Sequence, residues 1–293
     1  MRIVFIGSVK FSEKALQKLI LLNANIVGVC TLKESKFNSD HCDLTNLCKK
    51  NHILVKYAPN VNSSSNLEWI KSLNPDIIFC LGWSRLLKSE LISIPKRGVI
   101  GYHPTLLPKN RGRHPLIWSL CLGEKETGSS FFFMDEGADS GDILSQRKIK
   151  IDTSDDANTL YNKMIDTALI QIEDFFPKLL SKTELKIKQD HKKANYWRKR
   201  NQKDGKIDWR MTADSIYNLT RSLTRPYVGA HFEYENKLYT VWKSQVVLHE
   251  KQNIEPGKVI KSNDKQITVK AGENAICLEE IEPFINIEEG SYL

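Results

Sequence analysis

The sequence predicts an α/β protein in two parts: a parallel sheet with helices on both faces over residues 1–204, then a small antiparallel β domain over residues 205–293. Strand-like apolar runs alternate with helical stretches through the first part, two of those runs stop on glycine, and after about residue 205 the texture changes to short alternating runs between polar turns. At 293 residues, 41% apolar and 27% charged, the chain has the length for two domains and the composition of an ordinary globular protein.

Taken in order, RIVFIG is a β-branched apolar strand ended by Gly7, and SEKALQKLILL follows with helical spacing and Ser12 as its N-cap. NIVGVCTL is a second strand, CDLTNLCKKN a helix, HILVKYAP a short strand, NLEWIKSL a helix, and PDIIFCLG a strand stopping at Gly82. RGVIGYHP then brings a strand to His103. This alternation gives a Rossmann-like sheet, in which ligands gather at the carboxyl ends of the strands. The ends to watch are Gly7, Cys30–Thr31, Cys80–Leu81–Gly82 and His103. GSVKFS after the first strand carries neither GxGxxG nor GxxxxGK[ST], which argues against a dinucleotide or P-loop site there. In the second part a helix at ADSIYNLTRSL precedes AHFEYE, KLYTVWKSQVV, KVIK, QITVK and AICLEEI, the pattern of a small antiparallel barrel or sandwich, OB-like in kind.

The first apolar run is too short for a signal peptide and has no small-residue cleavage site, and no window approaches the roughly 18 apolar residues of a membrane span. A cytoplasmic location is the default expectation. The six cysteines form no CxxC pair and sit mostly in apolar runs, so a disulfide framework is not expected. His41, Cys42, Cys48 and His52 fit no common zinc spacing, and no metal is assigned. The formal charge of +8 owes much to Lys182–Lys206, which suits a solvated face, or a neighbour of a phosphorylated substrate.

His103 follows a strand directly and precedes Pro104, which keeps it out of the helical region. An imidazole held there by the Pro-Thr-Leu-Leu-Pro loop is placed either for proton transfer or for a structural role. Farther on, FFFMDEGADSGDIL runs an apolar strand into an Asp- and Gly-rich loop that can bring a carboxylate and bare backbone to a ligand. It lacks the EF-hand spacing, which argues against calcium.

With both loops in view, the chain resembles the formyltransferases that use 10-formyltetrahydrofolate. GYHPTLLPKNRGRHP is similar to that family's histidine motif and MDEGADSGD to its acidic loop. RIVFIGSVKFSEKAL and PDIIFCLGWSRLLKSELISIPKRG resemble its first strand and turn, and part of its folate pocket. The likeness covers residues 1 to about 245. It implies 10-formyltetrahydrofolate as co-substrate, with Leu81, Gly82, Trp83, Asp135, Gly137 and Asp139 toward the folate. It also implies His103 as hydrogen-bond donor at the formyl oxygen, and Asp139 orienting it and helping to take the amine proton. One position departs from the pattern. The family's asparagine two residues before the histidine, an oxyanion donor, is Gly101 here, and the loss of such a donor costs on the order of a hundredfold in rate elsewhere. Asn110 is the candidate to compensate, beside a water or a backbone N–H of the glycine loop.

The junction YWRKRNQKDGKIDWRMTADSIYNLTRSLTRPYVGAHF is more similar to enzymes that formylate a nucleotide-carried amino sugar than to those that formylate methionyl-tRNA. His103-Pro104-Thr105 and RGRHPLIW look like the same branch, which implies Thr105, Arg111 and Trp118 near the acceptor. Arg111 reads equally well as shaping the turn. The expected acceptor is an amino sugar, nucleotide-linked or a nonulosonate precursor, in surface-glycan biosynthesis; nucleic acid and membrane are not expected as partners, and a homodimer is compatible with the sequence. The alternatives are a methionyl-tRNA formyltransferase, or a catalytically weakened relative acting as a nucleic-acid or ligand-binding module.

Overall fold

The computed structural model describes residues 1–35, 38–250 and 253–293. Its elements run β1 (Ile3–Ile6), α1 (Lys10–Leu21), β2 (Ile26–Thr31), α2 (Thr45–Lys50), β3 (Val55–Tyr57), α3 (Ser64–Ser72), β4 (Ile77–Cys80), α4 (Ser89–Ile92), β5 (Val99–His103), β6 (Arg111–Gly112) and α5 (Pro115–Cys121). There follow β7 (Glu126–Phe133), β8 (Ile143–Lys150), α6 (Ala157–Ser181), β9 (Tyr196–Trp197), α7 (Ala213–Leu223), β10 (Ala230–Tyr234), β11 (Lys237–Val247), β12 (Val259–Ser262), β13 (Ile267–Lys270) and β14 (Ala275–Glu282). The chain divides into two compact units. The first comprises Met1–Gly112, Thr127–Ile149 and Asn162–Trp197, the second Arg113–Glu126, Lys150–Tyr161 and Arg198–Leu293.

The first unit is built on a seven-stranded sheet of order β3-β2-β1-β4-β5-β7-β8. The strands from β3 to β5 are parallel, and β7 joins β5 antiparallel. β1 and β4 are wholly buried, which explains their unbroken apolar runs. Strand order reverses at β1, so the crevice outside the carboxyl ends of β1 and β4 is the topological switch point. Gly7 sits there because a Cβ would lie 2.5 Å from the Leu81 carbonyl. Ser12 is not the N-cap residue that its sequence position suggests but the third residue of α1. The helix starts at Lys10, and the Ser12 hydroxyl folds back to accept from the Ser8 and Val9 amides and donate to the Leu81 carbonyl at 2.6 Å. One hydroxyl thus serves the start of α1 and the loop after β4 together.

The long helix α6 lies outside the elements expected above. Its buried residues Met164, Ala168, Ile172, Phe175 and Leu179 recur at three- and four-residue steps, and Phe175 packs edge-on against Phe131 of β7 at 5.0 Å. Cys30 and Cys48 are buried reduced thiols, pushed by that burial up to about 12. Among the described residues no helix is long and apolar enough to cross a membrane, and no three His, Cys, Asp or Glu side chains are grouped to hold a metal ion.

The second unit carries a five-stranded antiparallel sheet, β10-β11-β14-β13-β12. Its core joins Ile216 and Leu219 of α7 to Phe232, Val241, Val269 and Leu278 of the sheet. Arg221, buried on α7, donates to the Asp152 and Asp155 carbonyls and so ties the segment before α6 into this unit.

Candidate functional site

His103 ends β5 opposite Ser130 of β7 and is 5% exposed. Its Nε2 lies 2.8 Å from the Asn110 carbonyl. A carbonyl only accepts, so Nε2 carries the hydrogen and Nδ1 is the nitrogen left for chemistry. Nδ1 faces Oδ2 of Asp139 at 3.6 Å, too long for a direct hydrogen bond and near enough for the two groups to share a proton with a third. The Pro104–Asn110 loop that fixes the ring is itself braced. Thr105 is fully buried, donates its hydroxyl to the Lys109 carbonyl at 3.0 Å, and accepts at its own carbonyl from Ser130 Oγ at 2.6 Å. That residue's polar atoms are thus spent on the loop itself and on β7.

Asp139 has a left-handed backbone, φ 54°, and its Oδ2 accepts from the Gly112 amide at 3.0 Å. Gly112 is required there. Its φ is 103°, and a Cβ would lie 2.4 Å from the Trp197 carbonyl, because β6 and β9 pair in parallel. Earlier in the acidic loop, Oδ1 of Asp135 accepts from the Gly137 amide at 3.0 Å and from Ser140 Oγ at 2.6 Å. Asp135 and Gly137 therefore form the turn that delivers Asp139.

Asn110 reaches His103 through its main chain. Its side-chain oxygen accepts from Asn195 Nδ2 at 2.9 Å, and its amide donates to Asn195 Oδ1 at 2.8 Å. Arg111 is 2% exposed and turned inward, donating to Gln189 Oε1 at 2.6 Å, Tyr196 Oη at 2.9 Å and His191 Nδ1 at 3.2 Å. Trp118 belongs to the second unit, where its indole N–H donates to the Arg198 carbonyl at 3.0 Å and the Arg198 and Arg200 guanidinium groups lie over its ring. Gln189 and Asn195 escaped the sequence reading because both fall in the charged run taken as a solvated face.

On the β4 side, Leu81 is fully buried and Gly82 has φ 70°, with Val9 and Ser12 filling the space a Cβ would need. Trp83 follows with its indole N–H buried and without a hydrogen-bond partner among the described residues, a donor available to a ligand. Gly101 lies on β5 two residues before His103, and a Cβ there would meet Met134 Cγ at 2.9 Å and Phe132 Cζ at 3.0 Å. Met134 and Phe132 occupy the space into which an asparagine side chain would project.

A family profile described as formyl transferase matches residues 1–172, and one described as formyl transferase, C-terminal domain, matches residues 199–287. The chain belongs to the formyltransferase family. A methionyl-tRNA formyltransferase of Caldanaerobacter subterraneus subsp. tengcongensis is 34% identical to this formyltransferase over 296 aligned positions, covering 99% of this chain and 93% of the relative. Among solved structures, WlaRD, a sugar 3N-formyl transferase in the presence of dTDP and 5-N-formyl-THF, matches with TM-score 0.74 at 18% identity, covering 97% of this chain and 99% of that one. The N-formyltransferase from Helicobacter canadensis, in complex with folinic acid and dTDP-3-aminofucose, matches with TM-score 0.73 at 18% identity, covering 94% and 98%. At that identity the two structures establish the formyltransferase fold. The chain is accordingly an enzyme that transfers a one-carbon formyl group.

Proposed function

We propose that this formyltransferase moves the formyl group of 10-formyltetrahydrofolate to the amine of an amino sugar, nucleotide-linked or a nonulosonate precursor, in surface-glycan biosynthesis. The observation that carries the choice of acceptor is the near full-length fold match to a sugar 3N-formyl transferase and to an N-formyltransferase in complex with dTDP-3-aminofucose, at TM-scores of 0.74 and 0.73. The residues fit the folate on one count of their own: the buried indole N–H of Trp83, without a hydrogen-bond partner among the described residues, lies beside Gly82 as a donor open to the folate.

In this reading the amine nitrogen attacks the formyl carbon, the carbon–N10 bond breaks, the amine loses a proton and N10 gains one. With Nε2 of His103 donating to the Asn110 carbonyl, Nδ1 faces the reaction, and it donates to the developing oxyanion when the ring carries its second proton as imidazolium. Asp139, aimed by the Gly112 amide, takes the amine proton. Asp135 and Gly137 shape the loop around the folate, and Asn110 holds the histidine by its carbonyl.

A methionyl-tRNA acceptor is the second reading, favoured by 34% identity to a methionyl-tRNA formyltransferase over nearly the whole chain. Incubating the purified protein with 10-formyltetrahydrofolate and either dTDP-linked amino sugars or charged initiator tRNA decides between them. Formyl transfer to the sugar amine is the expected result. Transfer to methionyl-tRNA alone would replace the acceptor, and no transfer to any amine would leave the binding-module reading.

A further inference from the structure

Gln189 occupies a position that neither the family likeness nor the sequence reading assigns. It is 6% exposed and lies two residues beyond Ile187, which bridges antiparallel to Ile143 through paired amide–carbonyl bonds of 2.8 and 2.9 Å. That register sets Gln189 opposite Gly141. Its Nε2 donates to the Gly141 carbonyl at 2.6 Å and to the Asp139 carbonyl at 2.9 Å, while its Oε1 accepts from Arg111 Nη2 at 2.6 Å and Nε at 3.3 Å. Arginine can only donate and carbonyls can only accept, so these partners fix which end of the amide is which. Both donors hold the aspartate loop, and the acceptor holds the residue next to Gly112, whose amide binds the Asp139 carboxylate.

We propose that Gln189 is a positioning residue for formyl transfer: its amide clamps the left-handed Asp139 from behind, so that the carboxylate stays against Gly112 and in front of Nδ1 of His103. Buried Arg111 locks the clamp from the other side. Among the described residues Arg111 bonds Gln189, Tyr196 and His191 and no carboxylate, so a neutral amide rather than an ion pair carries the link. Without it a residue at φ 54° loses the contacts that offset its backbone strain. The effect falls on placement rather than on substrate binding, and it rests on the roles given above to His103 and Asp139.

Two variants test this. Gln189→Glu keeps an acceptor for Arg111 and removes both donors, and Gln189→Met removes all the polar contacts at similar volume. The Gly112 amide reports the Asp139 carboxylate directly, without turnover, through hydrogen exchange. In both variants its exchange is expected to rise at least about tenfold, the size of a lost hydrogen bond, while the amide of Ile78 in β4 stays protected. With the acceptor that the wild type uses, kcat should fall about a hundredfold, the cost of a small misplacement at a reacting centre. KM for both substrates should stay within about twofold of wild type, as for an interaction that acts after binding. Unchanged Gly112 exchange in both variants, unchanged kcat, or unfolding of both would overturn the proposal. Wild-type protein that transfers no formyl group would refute the proposed function instead and leave Gly112 exchange to decide on Gln189.

Discussion

At the scale of single residues, the imidazole of His103 has one nitrogen bound to a main-chain carbonyl and the other aimed at a carboxylate, so its two roles cannot be exchanged. His103→Ala is expected to lower transfer by about 10²- to 10⁴-fold, the range for a general acid or base, with the melting curve kept near wild type. Asp139→Asn separates charge from position. Asparagine accepts from Gly112 and tolerates the left-handed backbone but takes no proton, so a comparable loss of rate is expected with Gly112 exchange unchanged. Wild-type turnover in either variant would show that the chemistry lies elsewhere. Gly101→Asn inserts atoms into space held by Met134 and Phe132, and overpacking of this kind costs about 1–3 kcal/mol. Gly101→Asn combined with Met134→Ala should recover melting and transfer faster than Met134→Ala alone, if the oxyanion lacks a donor. Equal rates in a rapid-quench assay would mean that the glycine serves packing only.

At the scale of elements, the two-residue pair of β6 and β9 does more for the site than its size suggests, because it brings Arg111 and Gly112 against Tyr196 and Trp197 and so aims the Gly112 amide at Asp139. Gly112→Ala puts a methyl group 2.4 Å from the Trp197 carbonyl at a φ of 103°. A destabilisation of about 1–3 kcal/mol is expected in urea titrations, with transfer falling more than the lost folded fraction explains. This pairing was not legible in the sequence, since a bridge of two residues leaves no periodicity and its partner strand lies inside a run of charges. The parallel strands were legible, because a strand buried on both faces has to be apolar throughout, and so were the ends of β4 and β5. Helix α6 was legible in principle, since Met164, Ala168, Ile172, Phe175 and Leu179 carry the helical spacing. His103 and the acidic loop stood out because proline and glycine punctuate them. Gln189 and the inward turn of Arg111 did not, because burial of a polar side chain depends on tertiary partners that no local pattern encodes.

At the scale of the whole molecule, two histidines outside the candidate site couple stability to pH, and both lie in the second unit. Burial holds His114 below the usual imidazole value, reinforced by Arg113, Arg200 and Lys199. Burial does the same to His231, with Lys206 adding to it and Glu233 opposing it. The folded protein therefore prefers both rings neutral, whereas the unfolded chain takes up protons near the ordinary value of about 6.5. The corresponding stability is complete above that value and is lost as pH falls toward the lower folded-state values, because the unfolded state then binds more protons. Denaturant titrations at about pH 7.5 and about pH 5.5, on either side of that value, should show the second unit weakening at the lower pH. His114→Asn combined with His231→Gln should flatten the dependence. Asparagine suits position 114 because His114 caps α5 with φ 55°, a left-handed backbone that asparagine accepts and alanine does not. An undiminished slope in the double variant would assign the pH dependence to other groups. A flattened slope with unchanged transfer at pH 7.5 would separate this titration from the chemistry of His103, which lies in the first unit and is fixed by a different set of partners.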